Sequence, residues 1–175
     1  MSNYPFIMFL NLDSIPPFYK NYIKQVEQTD LLTNLRVSGY RTLELLHGIP
    51  ETKAGHAYAP GKWSIREVAG HIIDAERIFA YRALRFARKD QTVLTSFDEN
   101  QYVPNSNANQ RSLRKLAEEL HHVRMSTIDL FESFSEEMLL QKGKIGEQEI
   151  SVVALGFIIA GHEIHHRNIL RERYL

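Results

Sequence analysis

Two histidines four positions apart, His162 and His166, stand in the last apolar segment of this 175-residue sequence. Side chains four positions apart lie one above the other on the same face of an α-helix, close enough to bind one ion. The histidines continue a stripe of apolar residues formed by Val152, Leu155 and Ile159. Two imidazoles therefore occupy positions that core side chains would otherwise fill, and a metal ion is the simplest explanation.

A third histidine, His71, lies in an earlier segment with helical periodicity, between the apolar residues Val68 and Ala75. Alone, a histidine at such a position is more often a core residue with a partner than a ligand. Three core imidazoles without partners would destabilise the fold by about 1–3 kcal/mol each, a large part of a typical domain's stability. A shared cation removes this penalty, so the sequence predicts His71, His162 and His166 as metal ligands.

Three neutral imidazoles with one or two open coordination positions are typical of a catalytic metal site. Nitrogen ligands suit several divalent ions, and we expect zinc or nickel, with manganese or iron as alternatives. The open position would bind water or an incoming thiolate, whose pKa the metal lowers. A ligand histidine usually donates its second N–H to an acceptor, for which Asp74 and Glu163 are candidates, and a backbone carbonyl would serve equally.

The other histidines have simpler interpretations. His165 falls on another face of its helix, which predicts a place beside the ligands or at the surface. His121 and His122 lie next to acidic residues and favour a solvated face. His47 stands at a helix C-terminus, where the dipole favours a cation, and His56 lies in a loop that could reach over a site.

The segment from His162 to His166 also matches the H-E-x-x-H pattern of zinc metalloproteases, in which the glutamate is the general base. We reject this interpretation. Glu163 points about 100° away from its neighbour around the helix, Ile169 replaces the glycine of the extended pattern, and no strand is evident to hold a peptide.

Helical periodicity dominates the sequence, and no stretch alternates as strands do. A short helix is predicted near Pro17 to Lys24, with one extra turn near Ser135. Four long helices follow from the capping and breaking residues: Asp30 to His47, Ser64 to about Arg88, roughly Gln110 to Phe134, and Ser151 to near the C-terminus. We therefore predict an all-α four-helix bundle.

The connection between the second and third long helices, Lys89 to Asn109, is too long for a tight hairpin. It could cross the end of the bundle, which makes those helices parallel in an up-down-down-up order, and it could also cover a site. Its segment Phe97 to Tyr102 carries two carboxylates, two amides and a phenol, and includes the Asp98–Tyr102 stretch that we expect to shape a pocket. Helix capping and solvation are the simpler roles for any one of these groups.

The overall composition excludes several function classes. Lys plus Arg equals Asp plus Glu, so no net charge favours nucleic acid. Cysteine is absent, which excludes thiolate ligands and a cysteine nucleophile. We expect no signal peptide and no membrane span. The sequence predicts one domain over residues 1–175, with residues 1–29 as an extension packed on the bundle, and a cytoplasmic protein.

Three segments resemble the DinB/YfiT-like metalloenzyme superfamily. Tyr58 to His71 (YAPGKWSIREVAGH) resembles its entry into the second helix, and Gly161 to Tyr174 (GHEIHHRNILRERY) its last helix. Phe97-Asp-Glu-Asn and the following Tyr102-Val resemble the linker of one branch. The resemblance covers nearly the whole chain from Asp30 onward.

This resemblance implies an up-down-down-up bundle, a divalent metal on His71, His162 and His166, and a homodimer. Characterised relatives include transferases and isomerases that use bacillithiol, mycothiol or glutathione. We therefore hypothesise a metal-dependent enzyme that activates a low-molecular-weight thiol, or water, for attack on a small electrophile in detoxification or stress response. The alternatives are a metal-dependent hydrolase and a non-catalytic, metal-stabilised binding or dimerisation module.

Overall fold

The computed structural model describes Leu10, residues 15–27 and residues 30–175. These residues form helices and one β-hairpin, in the chain order α1 (Pro17–Ile23), α2 (Leu31–Gly48), α3 (Ile65–Ala87), α4 (Glu99–Tyr102), α5 (Leu113–Glu132), α6 (Glu136–Leu140), β1 (Lys142–Ile145), β2 (Gln148–Ser151) and α7 (Val152–Ile169). A π-helical turn, Leu170–Tyr174, continues α7. Short 3₁₀ turns interrupt the connections before α3 and α5.

The long helices begin at side chains that accept hydrogen bonds from the first free backbone N–H groups. Asp30 accepts from the N–H of Thr33 at 2.9 Å. Ser64 and Glu67 form a complete capping box at the start of α3, and Ser151 caps α7. These three starts are as predicted, whereas α5 begins at Leu113, a few residues later than expected.

Helices α2, α3, α5 and α7 form the bundle, in which α2 and α3 each pack against both α5 and α7. Helices α2 and α7 run in the same direction, because Leu31 faces Gly156 and Ser38 faces Glu163. The end of α7 lies beside the start of α3, so these two helices are antiparallel. The predicted all-α class and four-helix bundle are confirmed.

Helix α7 is buried around almost its whole circumference, including the glycines of its apolar segment. A single apolar stripe was therefore too narrow a prediction, because α7 packs against α1 as well as α2 and α3. Its contact with α1 is close: a Cβ atom at Gly161 would overlap the backbone carbonyl of Tyr22. This close packing holds α1 against the C-terminal half of α7.

Tyr40 of α2 is 68% exposed. The buried positions of this helix instead include Ser38 and Thr42. Both hydroxyl groups serve buried charged groups: Ser38 bonds Glu163 and Thr42 bonds Arg167. The buried face of α2 is therefore the one that carries Ser38 and Thr42, and Tyr40 lies outside it.

The prediction that the chain lacks strands was wrong. β1 pairs with β2 in an antiparallel hairpin, from Lys142 opposite Ser151 to Ile145 opposite Gln148. Gly146 turns the chain with a φ of +57°. Only Ile145 and Ile150 of this hairpin are buried apolar residues, so the alternation is too short to stand out in the sequence.

The long connection between α3 and α5 joins this hairpin, since the N–H of Leu94 donates to the carbonyl of Lys144 at 2.9 Å. Among the described residues, no helix is long and apolar enough to cross a membrane. The described part of the N-terminal extension includes α1. We expected no signal peptide in the first ten residues, and of these only Leu10 is among the described residues. The single-domain organisation stays a prediction.

Candidate metal centre

The three predicted ligand histidines meet between α3 and α7. The Nε2 atom of His162 lies 3.0 Å from Nε2 of His71 and 3.2 Å from Nε2 of His166. One ligand atom from each of the three side chains can be chosen so that all lie within 4.8 Å of one another. The three residues are only 6–8% exposed. The structure therefore brings together the set that the spacing and the apolar surroundings indicated.

Burial keeps the three imidazoles neutral. It lowers the pKa of His71 to about 4, with a smaller contribution from His165. The pKa values of His162 and His166 also fall well below the ordinary value, first because of burial and then because of the neighbouring histidines. A neutral imidazole has a free lone pair, so the cluster is ready to coordinate an ion at neutral pH.

The arrangement fits a metal ion better than a hydrogen-bond network. Nε2 of His162 faces two other ring nitrogens, yet a ring nitrogen offers either one N–H or one lone pair. A tetrahedral zinc with metal–nitrogen bonds of about 2.0–2.1 Å places its ligand nitrogens about 3.3 Å apart. The two observed separations are close to that value, and one cation would satisfy all three nitrogens.

Tyr174 and Trp63 join the two helix ends that carry the histidines, the end of α7 and the start of α3. The Tyr174 hydroxyl donates to the backbone carbonyl of Trp63 at 2.7 Å. The Trp63 ring lies 4.8 Å from the His71 ring and stacks beside His166 at 6.4 Å. Trp63, which precedes the N-cap of α3, therefore forms a wall of the site.

The histidines line a cleft of about 280 Å³. Helix α1 contributes Phe18, Tyr19 and Tyr22, which the sequence analysis did not connect with the site. Helix α3 adds Phe79 and Arg82. Arg82 could have been found from the sequence, because it continues the buried face of His71 and Phe79 at helical spacing, where an arginine is unusual.

The connection between α3 and α5 forms another wall of this cleft through Ser96, Phe97 and Glu99. Asp98 faces its own backbone and caps α4, accepting from the N–H of Asn100 at 2.9 Å. Tyr102 packs its ring 5.3 Å from that of Phe97. The connection therefore covers the site as anticipated, with Glu99 rather than Asp98 as the carboxylate in the cleft.

The predicted acceptors for the ligand histidines were wrong. Asp74 is partly exposed beside Arg77. Glu163 turns away from the site and lies 2.5 Å from Arg124, with Ser38 donating to it at 3.0 Å. Within the described chain, neither carboxylate is hydrogen-bonded to a ligand histidine. Glu163 is therefore not placed as the general base that the protease pattern would require.

Glu163 belongs instead to a buried charged cluster that the sequence analysis missed. Arg124 binds both carboxylate oxygens of Glu76 at 2.8 Å and also contacts Leu35 and Ser38. These carboxylates raise the pKa of the Arg124 guanidinium, although burial acts in the opposite direction. The cluster connects all four helices of the bundle immediately behind the histidines.

The remaining histidines lie close to their expected places. His165 is half-buried beside the clustered histidines, 5.1 Å from the His166 ring, and Nε2 of Gln25 lies 3.5 Å from its Nδ1 atom. It lines the cleft but is not part of the three-nitrogen cluster. His47, His56, His121 and His122 are exposed.

The sequence profile of the DinB superfamily matches residues 34–170. The chain belongs to the DinB superfamily. The match spans α2 to α7 and includes all three clustered histidines, and it confirms the resemblance drawn from the sequence. No curated protein sequence matches this DinB superfamily chain.

Solved structures with the same fold include two proteins from Bacillus subtilis. YfiT, described as a probable metal-dependent hydrolase with an unusual four-helix bundle topology, is 14% identical, with a TM-score of 0.65 over 91% of this chain and 90% of YfiT. The DinB-like protein YjoA is 19% identical, with a TM-score of 0.59 over 81% of this chain and 86% of YjoA. At these identities, the likeness shows the fold.

A mycothiol-dependent maleylpyruvate isomerase is similar as well, with 10% identity and a TM-score of 0.64. The superposition covers 90% of this DinB superfamily chain but only 62% of the isomerase. The common bundle therefore occurs in a longer mycothiol-dependent enzyme and in a protein described as a probable metal-dependent hydrolase.

Proposed function

We propose that this chain is a metal-dependent enzyme in which His71, His162 and His166 hold one divalent ion, zinc or nickel, at the wall of the cleft. The observation that carries this proposal is the convergence of three buried, neutral imidazoles on one point beside a cavity. When bound, such an ion supplies Lewis acidity that lowers the pKa of a thiol or a water molecule. The activated nucleophile would attack a small electrophile in the cleft.

The residues around the histidines suit a small, partly apolar molecule. The rings of Trp63, Tyr22 and Phe97 line the cleft and would exclude water from the reacting groups. Burial, and next the charge of Glu99, raise the pKa of Tyr22 to about 12. The Tyr22 phenol therefore keeps its proton at neutral pH and can donate a hydrogen bond to the substrate.

The thiol and the water reactions have different support. Similarity to a mycothiol-dependent isomerase favours a low-molecular-weight thiol, such as bacillithiol or mycothiol, as co-substrate. Similarity to YfiT favours water and a hydrolase. We place the thiol reaction first, in detoxification or stress response. The third possibility, a non-catalytic module stabilised by the metal, predicts metal binding without turnover.

Elemental analysis of the purified protein and four alanine variants tests the metal centre. We expect about one ion per chain in the native protein and its loss in His71→Ala, His162→Ala and His166→Ala. His165→Ala is the matched control, because this residue lies on the same helix and in the same cleft but outside the cluster. An unchanged metal content in His162→Ala would overturn the assignment.

Turnover by the metal-loaded protein separates the proposed reactions. Consumption of an aryl halide only in the presence of bacillithiol, mycothiol or glutathione supports the thiol transferase. Hydrolysis of an ester without any thiol supports the hydrolase. We also propose a cytoplasmic homodimer, as the family resemblance implies, and light scattering of the same preparation measures the oligomeric state.

A further inference from the structure

Arg82 is a buried cation in the same cleft as the histidines. It lies on α3, eleven positions after His71, and is only 3% exposed. Its side chain lines the cleft together with all three clustered histidines. Arginine side chains are mostly exposed and are rarely buried without a charged partner. The burial of Arg82 therefore needs an explanation.

The contacts of Arg82 do not neutralise its charge. Nη2 donates to the backbone carbonyl of Thr95 at 2.8 Å, and the guanidinium also hydrogen-bonds the Tyr19 phenol. The rings of Phe79 and Phe97 lie 5.7 and 5.8 Å from its central carbon. Among the residues that the structure describes, no carboxylate forms an ion pair with Arg82, whereas the buried Arg124 has two such partners.

A buried charge without a counter-ion destabilises a fold by several kcal/mol, because its hydration is lost. The guanidinium also has five N–H donors in a planar fork that matches a carboxylate. The flanking phenylalanine rings and the bond to Thr95 restrict the orientation of that fork. An anion in the cleft would both compensate the charge and use the remaining donors.

We propose that Arg82 binds a carboxylate group of the small molecule that reacts in this cleft. The proposal rests on the proposed function and names the chemical class of its ligand. One end of that molecule is held by Arg82 while its reacting group lies at the histidine cluster. The carboxylate can belong to the electrophile or to the thiol, and the experiment below distinguishes the two sources.

The structure also limits the length of this molecule. The Phe79 ring lies 6.0 Å from the His162 ring and 5.7 Å from the central guanidinium carbon of Arg82. The arginine and the histidine ring are therefore no more than about 12 Å apart. Together with the cleft volume of about 280 Å³, this separation suits a short carboxylic acid rather than a polymer.

Trp63 provides a direct measure of binding, because it lines the cleft and is the only tryptophan in the sequence. Fluorescence titrations compare two pairs of probes that differ only in charge: 3-mercaptopropionate with its amide, and chloroacetate with chloroacetamide. We expect Arg82→Gln to weaken binding of a carboxylate probe at least tenfold and to leave its neutral partner within twofold. The pair that shows this difference identifies the thiol or the electrophile as the carrier of the carboxylate.

Arg88→Gln is the matched control, since Arg88 is an exposed arginine directly after the end of α3 and outside the cleft. Arg82→Met tests whether Arg82 is instead a structural residue. We expect this variant to keep the native melting temperature, or exceed it, while losing carboxylate binding. Unchanged carboxylate affinity in folded Arg82→Gln and Arg82→Met, with either probe pair, would overturn the proposal.

The titrations are carried out with and without added zinc, which separates this inference from the proposed function. Carboxylate binding that depends on Arg82 in a protein that takes up no metal would support the anion site and remove the metal-dependent reaction. Metal uptake without a preference for either carboxylate probe would support the metal centre and overturn the carboxylate site at Arg82. Each proposal therefore has its own readout.

Discussion

The hydroxyl group of Tyr174 donates a hydrogen bond of 2.7 Å to the backbone carbonyl of Trp63, beside the clustered histidines. This bond joins the turn after α7 to the residue before the N-cap of α3. It therefore fixes the distance between His166 and His71 from outside the cluster. The Trp63 ring, held by its own backbone, contacts His71 from the same side.

Tyr174→Phe should destabilise the protein by about 1 kcal/mol, the usual contribution of one hydrogen bond, and should alter the fluorescence of Trp63. Chemical denaturation measures the first effect and an emission spectrum the second. Tyr58→Phe is the matched control, because the Tyr58 ring packs against Tyr174 at 4.9 Å and its hydroxyl has only a long contact with Arg173. Equal effects of both substitutions would contradict a specific role for the Trp63 bond.

The same tyrosine predicts a loss of stability in alkaline solution. Burial raises the pKa of Tyr174 from 10.0 to about 12. The unfolded chain releases this proton at lower pH than the folded chain does, so the stabilisation is complete below pH 10 and is lost as the pH rises from 10 to 12. Urea unfolding at several pH values should show a steeper decline for the native protein than for Tyr174→Phe. Parallel declines would contradict the prediction.

Metal binding should raise the thermal stability of the protein. A ligand that binds only the folded state at one hundred times its dissociation constant adds about 2.7 kcal/mol. We therefore expect a chelator to lower the melting temperature of the native protein and of His165→Ala, but not that of His162→Ala. Differential scanning calorimetry measures this change. A chelator effect in His162→Ala as large as in the native protein would place the metal elsewhere.

The buried charged cluster should tolerate complete replacement better than partial replacement. Arg124→Met leaves Glu76 and Glu163 without their cation, which predicts a loss of about 3–5 kcal/mol. Adding Glu76→Gln and Glu163→Gln should recover most of this loss, because no uncompensated charge remains. Denaturant unfolding measures both variants.

Arg36→Met is the control for Arg124→Met, because Arg36 pairs with Glu132 at the surface. A surface pair contributes at most about 1 kcal/mol. If the triple variant is as unstable as Arg124→Met alone, the loss of stability comes from altered packing and not from uncompensated charge.

Gly161→Ala should disturb the contact between α1 and α7, because the added methyl group overlaps the Tyr22 carbonyl. We expect α1 to loosen and to become a site of limited proteolysis, with a large loss of stability. Gly48→Ala is the control, since a Cβ there meets no atom within 4 Å. Equal resistance of the two variants to proteolysis would show that the added methyl group does not loosen α1, which would contradict the prediction.

The sequence predicted those features that depend on local patterns. Asp30, Ser64 and Ser151 mark helix starts through hydrogen bonds to residues three positions away, which a sequence displays directly. His162 and His166 share a helix face for the same reason. His71 could be added because an imidazole in an apolar face needs a partner wherever that partner lies in the chain.

Features that depend on the docking of separate segments could not be predicted in this way. The contact of Arg124 with Glu76 joins residues 48 positions apart. Nothing in the local sequence around either residue indicates that it is buried or which residue it pairs with. Tyr19 and Tyr22 reach the cleft only because α1 lies across Gly161. The hairpin was missed because two buried isoleucines are too few to display a strand period.

The histidines and the walls of their cleft come from different parts of the chain. Helices α3 and α7 hold the three imidazoles, and both are tied into the bundle by buried charges. The walls formed by α1 and by Ser96, Phe97 and Glu99 belong to segments with far fewer buried residues. Mutation can therefore exchange the residues that line the cleft while the three histidines stay in place, so that, under the proposed function, one bundle can diversify into enzymes with unrelated substrates.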